Sequence, residues 1–97
     1  MIKNPNPSHP GKILAGLHLE DLGWSQTRLA QEIGCSHAKV NEVINGRRGI
    51  SPEFALDLER VLGISAETWL RLQADYDLHV ARKKARSKKP AKKRKVA

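Results

Sequence analysis

Ser25-Gln26-Thr27-Arg28-Leu29-Ala30-Gln31-Glu32-Ile33-Gly34-Cys35-Ser36-His37-Ala38-Lys39-Val40-Asn41-Glu42-Val43-Ile44-Asn45-Gly46 carries two short helical patterns on either side of a glycine. Leu29, Ala30 and Ile33 share one face of the first pattern, and Val40, Val43 and Ile44 share one face of the second. These are the three- and four-residue steps of an amphipathic helix. Ser25 and Ser36 stand just before the two patterns, where a hydroxyl can accept from a free backbone N–H of the first turn. Gly34 follows the first pattern, at the position where a left-handed backbone ends a helix and only glycine adopts it cheaply. Ala30 is small where two helices must cross closely. The expected unit is a helix-turn-helix, of the kind whose second helix enters the major groove of DNA.

Working outward, Pro10 suits the first position of a helix, and the pattern predicts one from Pro10 to about Leu19 with Ile13, Leu14 and Leu17 inward. Residues 20–24, containing Gly23, read as a connection, and Arg47 to Ile50 as a loop after the second motif helix. Ser51-Pro52-Glu53 combines a capping hydroxyl, a first-position proline and an acid near the positive helix end. The helix it opens should bury Phe54, Ala55, Leu58, Val61 and Leu62 and stop at Gly63. Ser65 can cap a fifth helix whose apolar side holds Trp69, Leu72, Tyr76 and Val80. No strand-like alternation is present. The expected fold is all-α: five helices in one domain over residues 9–84, after an extended lead-in (1–8) and before a basic tail (85–97). Like-charge repulsion and the lack of large apolar residues predict that the tail is disordered.

Composition narrows the function classes. Only 4% of the 97 residues are aromatic, so the core must be mainly aliphatic. No run approaches the roughly 18 apolar residues that cross a bilayer, no signal segment opens the chain, and one cysteine excludes an internal disulfide. These features suit a reducing cytoplasm and no membrane partner. The net charge of +8 is unevenly placed. Through Ala81 there are 8 Lys or Arg against 10 Asp or Glu, and from Arg82 on there are 10 Lys or Arg and no acid. DNA binding by the body must therefore rest on local placement of charge.

Ser36, His37, Ala38, Lys39, Asn41, Glu42 and Asn45 are the candidates for reading base edges from the second motif helix. Lys39 can donate to guanine, Asn41 can pair with adenine, Glu42 can accept from cytosine and Ala38 can meet a thymine methyl. A carboxylate near phosphates is repelled unless paired, which sets a condition on Glu42. Gln26 at a helix start and the loop arginines Arg47 and Arg48 suit phosphate, with Arg28 a weaker candidate. Leu72, Tyr76 and Val80 form a small apolar patch fit for an interface between two subunits. Cys35 and the scattered His9, His18, His37 and His79 lack the spacing of metal ligands. No catalytic pattern stands out, so neither an enzyme nor a cofactor is expected.

The motif resembles the lambda-repressor-like (XRE) helix-turn-helix. With His9-Pro10-Gly11-Lys12-Ile13-Leu14, Asn45-Gly46-Arg47-Arg48-Gly49-Ile50-Ser51, Trp69-Leu70-Arg71-Leu72-Gln73 and Tyr76-Asp77-Leu78, the chain is similar to the HigA-type antitoxins from about His9 to Ala81. The resemblance implies a bacterial, nucleoid-associated homodimer on double-stranded operator DNA, repressing its own operon and neutralising a RelE-like (HigB-type) mRNA-cleaving toxin. It places the base contacts at Ser36, His37, Ala38 and Glu42. Glu53, Asp57, Glu59, Glu67, Asp75 and Asp77 would offer a basic toxin an acidic face, or serve simply as a solvated one. A stand-alone repressor and a pure protein-sequestering module are the alternative readings. The tail sequence Pro90-Ala91-Lys92-Lys93-Arg94-Lys95-Val96 is similar to a nuclear localisation signal. On this domain it reads as a non-specific DNA-binding arm or as an added sequence.

Overall fold

The computed structural model describes residues 7–87, and within them each stretch of helical apolar period is a helix. The first six residues of the lead-in and the tail from residue 88 lie outside the described residues, as does the Leu17 side chain. Five helices follow one another: α1 (residues 10–22), α2 (Gln26–Ile33), α3 (His37–Ile44), α4 (Pro52–Leu62) and α5 (Ala66–Ser87).

Helix α1 departs from its expected course. It opens as an α-helix over Pro10–Ile13, widens to a π-helix over Leu14–Leu19 and closes with an α turn over Glu20–Leu22. In the widened stretch the Glu20 N–H reaches back five residues to the Ala15 carbonyl. A five-residue step brings Leu19 rather than a three- or four-residue neighbour into line with Leu14, and both leucines are buried. Ile13, expected inward, is half-buried. The helix therefore runs to Leu22, three residues past the expected end, and stops at Gly23.

The caps fall where the sequence places them. The hydroxyls of Ser25, Ser36, Ser51 and Ser65 accept from the N–H groups of Arg28, Lys39, Phe54 and Thr68 at 3.0, 3.1, 3.2 and 3.2 Å. Gly34 takes φ +88° at the end of α2, which turns the chain sharply into Ser36. Arg60 of α4 donates to the Ile33 carbonyl at 3.1 Å, tying the end of α2 to the helix behind it. Helix α5 continues to Ser87, so residues 85–87, assigned above to the tail, are helical.

Leu14, Leu29, Val40, Val43, Phe54, Leu58 and Trp69 fill the centre. Trp69 is fully buried, its ring edge-on to His18 with centroids 5.5 Å apart. Val61 and Leu62 pack half-buried against this core. Helix α1 lies on α3 and α5, and α2 lies on α3 and α4. Helix α3 is thus held from behind and leaves one face to solvent.

Candidate nucleic-acid interface

Steps of about 100° per residue decide what α3 presents. Val40 and Val43 are buried and Ile44 half-buried. Ala38, Glu42 and Asn45 lie opposite them at four- and three-residue steps, with exposed Ser36 and His37 at the helix start. Asn41 and Lys39 occupy the two flanks, and each is turned toward another helix. Asn41 Nδ2 donates to Gln26 Oε1 at 3.0 Å, and Asn45 Nδ2 donates to Asn41 Oδ1 at 3.1 Å. This chain of amides joins the start of α2 to the end of α3. On the other flank the Lys39 ammonium lies 5.2 Å from the Phe54 ring centroid, a cation–π contact.

Glu42 meets the condition set for it. Its Oε1 accepts from the Arg48 guanidinium, with contacts of 2.8 Å from Nε and 2.7 Å from Nη2. Both side chains are nearly half-exposed, so the pair adds little stability. Its effect is to neutralise the one carboxylate on a face that would meet phosphates. The Glu42 carbonyl also accepts from the N–H groups of Arg47 and Arg48 at 2.8 and 3.2 Å. The loop is thereby folded back onto the last turn of α3, with both arginines exposed beside the helix.

Two residues hold that loop from behind, and the sequence reading gave neither a role. Gln73 of α5, nearly buried, accepts from the Ile50 N–H at 2.8 Å and donates to Asp77 Oδ1 at 2.9 Å. His9 packs its ring edge-on against Tyr76 with centroids 5.0 Å apart. A signal for Gln73 existed: it sits four residues after Trp69 and three before Tyr76, a polar residue on an apolar stripe.

The remaining candidates lie elsewhere. Arg28 pairs with Glu32 at 2.9 Å and stacks 4.6 Å from the Trp24 ring centroid, both on the outer side of α2. Leu72 is half-buried against the core of its own chain; Tyr76 and Val80 are half-buried further along α5. Three of the acidic residues are engaged within the chain. Asp57 meets Arg60 at 3.4 Å, Glu59 accepts from the Ala66 N–H at 3.0 Å, and Asp77 binds Gln73. Among the described residues no group of three or more His, Cys, Asp or Glu could hold a metal ion.

A helix-turn-helix family model matches residues 18–69. The chain is 42% identical over 79 residues to virulence-associated protein A of Dichelobacter nodosus, covering 80% of this chain and 78% of that protein. Among solved structures it is similar to antitoxin HigA of Pseudomonas aeruginosa bound to the higBA promoter. That likeness has a TM-score of 0.81 and 34% identity, over 84% of this chain and 89% of the other. Antitoxin GraA is similar with a TM-score of 0.79 and 35% identity, over 81% and 85%.

Proposed function

The chain belongs to the XRE-type helix-turn-helix family of DNA-binding regulators, and on that premise we propose that it is an antitoxin of the HigA type. In this reading it binds operator DNA as a homodimer, represses its own operon and holds a RelE-like mRNA-cleaving toxin inactive in the bacterial cytoplasm. The observation that carries the DNA part is the exposed face of α3. Ala38, Glu42 and Asn45 stand in line, Glu42 is neutralised by Arg48, and Arg47 and Arg48 flank the helix.

Small neutral or amide side chains in line can approach base edges, while flanking guanidinium groups bind phosphate and fix the register. Two-fold pairing follows from energetics, since one short recognition helix offers few contacts. Tyr76 and Val80, half-buried on α5, are the residues we assign to the subunit interface, together with Leu72. The toxin part draws support from the two solved relatives, which are antitoxins. Glu53, Glu67 and Asp75 are exposed acids on α4 and α5 that a basic toxin could meet.

Fluorescence anisotropy on a duplex from the promoter of its own gene tests the DNA part. Binding there should exceed that to scrambled DNA, and Asn45→Ala should reduce the difference. Equal affinity for both duplexes would defeat this reading. Co-expression with the product of an adjacent toxin-like gene tests the other part: the antitoxin should restore growth and co-purify. Operator binding without either effect would favour a stand-alone repressor.

A further inference from the structure

His9 stands at a junction of three elements. The residue is 7% exposed, and its Nδ1 accepts from the Gly11 N–H at 2.9 Å. Its carbonyl accepts from the Lys12 N–H at 2.9 Å, so backbone and ring together cap α1. The ring rests edge-on against Tyr76 of α5. It also packs on the turn that ends α3, since a Cβ added at Gly46 would stand 3.8 Å from it. Two residues on, the backbone of Gly11 abuts the Val43 carbonyl of α3, where any Cβ would overlap. His9, Gly46, Arg47 and Arg48 border one open cleft of about 440 Å³ with Tyr76 and Asp77.

We propose that His9 is a positioning residue for DNA binding: its neutral imidazole seats the entry of α1 against the end of α3, and its protonation loosens the Arg47–Arg48 loop. The inference rests on the reading that α3 and this loop hold DNA. Nδ1 accepts a backbone N–H, so it must keep its lone pair and the ring proton must sit on Nε2. A second proton turns both nitrogens into donors, and the buried Gly11 N–H loses its acceptor. The groups facing the ring work in opposite directions. Asp77 of α5 favours an imidazolium by its charge, whereas Arg47 and Arg48, which border the same cleft, carry the imidazolium's own sign.

Burial holds the His9 pKa below the ordinary 6.5, outweighing the opposing pull of Asp77. The folded protein therefore binds this proton less readily than the unfolded chain. Its contribution is complete above pH 6.5 and is lost as pH falls from there through the folded value.

Replacement His9→Asn separates the cap from the titration, because the Asn Oδ1 can accept the Gly11 N–H and carries no proton equilibrium. This variant keeps the cap but loses the ring's packing on Tyr76 and Gly46, so each protein's pH profile is read relative to its own affinity at pH 7.5. Between pH 7.5 and 5.5 the wild type should lose severalfold more affinity than the variant, the lowered pKa keeping protonation incomplete at the acid end. His37 on the exposed face of α3 is present in both proteins, so the comparison isolates His9. In the free protein, ¹⁵N spectra of the imidazoles should show Nδ1 of His9 unprotonated and Nε2 protonated at pH 7.5. Identical pH profiles for the two proteins, or a proton on Nδ1, would overturn the proposal. The correct tautomer without DNA affinity at any pH would instead overturn the reading on which it rests.

Discussion

In the proposed reading, Glu42 serves recognition while opposing affinity. Its carboxylate occupies the middle of the exposed face of α3, and Arg48 cancels its charge at 2.7 Å. Replacing it with Gln frees Arg48 for any phosphate and exchanges one acceptor oxygen for a donor, which blurs a preference for cytosine. Glu42→Gln should therefore raise affinity for random DNA and lower the ratio of operator to random binding, measured by anisotropy on both duplexes. The paired replacement of Arg47 and Arg48 by alanine should act on every sequence alike. The slope of log affinity against log salt should fall by about 0.9 for each lost phosphate contact. Asn41 differs again, because its amide is already held between Gln26 and Asn45. We expect Asn41→Ala to weaken operator binding by roughly 1–3 kcal/mol and to leave random DNA nearly unaffected. Equal losses on the two duplexes would place Asn41 at a phosphate instead.

At the scale of the helices, what was legible was what is local. A serine and the N–H three residues later are neighbours in any helix start, so all four caps could be read from the chain. The turn at Gly34 follows from one residue type at one position. The π-helical stretch was not legible, because Leu14 and Leu19 fall in line only once the rest of the core selects them. The same holds for the Gln73–Ile50 bond, which spans 23 residues, and for the inward turn of Lys39, which needs Phe54 in place. The sequence places the base-reading candidates on α3, but their split into a central line and two flanks required α2 and α4. Two glycines of α1 make this distinction measurable. At Gly11 a Cβ overlaps the Val43 carbonyl, whereas at Gly16 it meets nothing within 4 Å. Gly11→Ala should cost roughly 1–3 kcal/mol in urea unfolding through forced repacking. Gly16→Ala should leave stability unchanged or raise it by up to about 1 kcal/mol, as an open helical site allows.

The whole molecule divides its charge unevenly, with a body that is slightly acidic through Ala81 and basic residues gathered after it. Removing residues 88–97 deletes six of those basic residues, Lys88, Lys89, Lys92, Lys93, Arg94 and Lys95. Such a truncation should flatten the salt dependence of binding at low salt while preserving discrimination between operator and random DNA. Loss of discrimination would mean that the tail reads bases. Among the described residues no helix is long and apolar enough to cross a membrane, and α3 is the surface on which the account depends. In the proposed complex two copies of α3 read one operator across a two-fold axis. Hydroxyl-radical footprinting on the promoter of its own gene tests this most directly. Two protected patches related by an inverted repeat are expected, their centres about one helical turn apart, roughly 34–36 Å. A charge placed at Ala38 should erase both patches together. A single protected half-site, or protection that survives at Ala38→Glu, would contradict this arrangement.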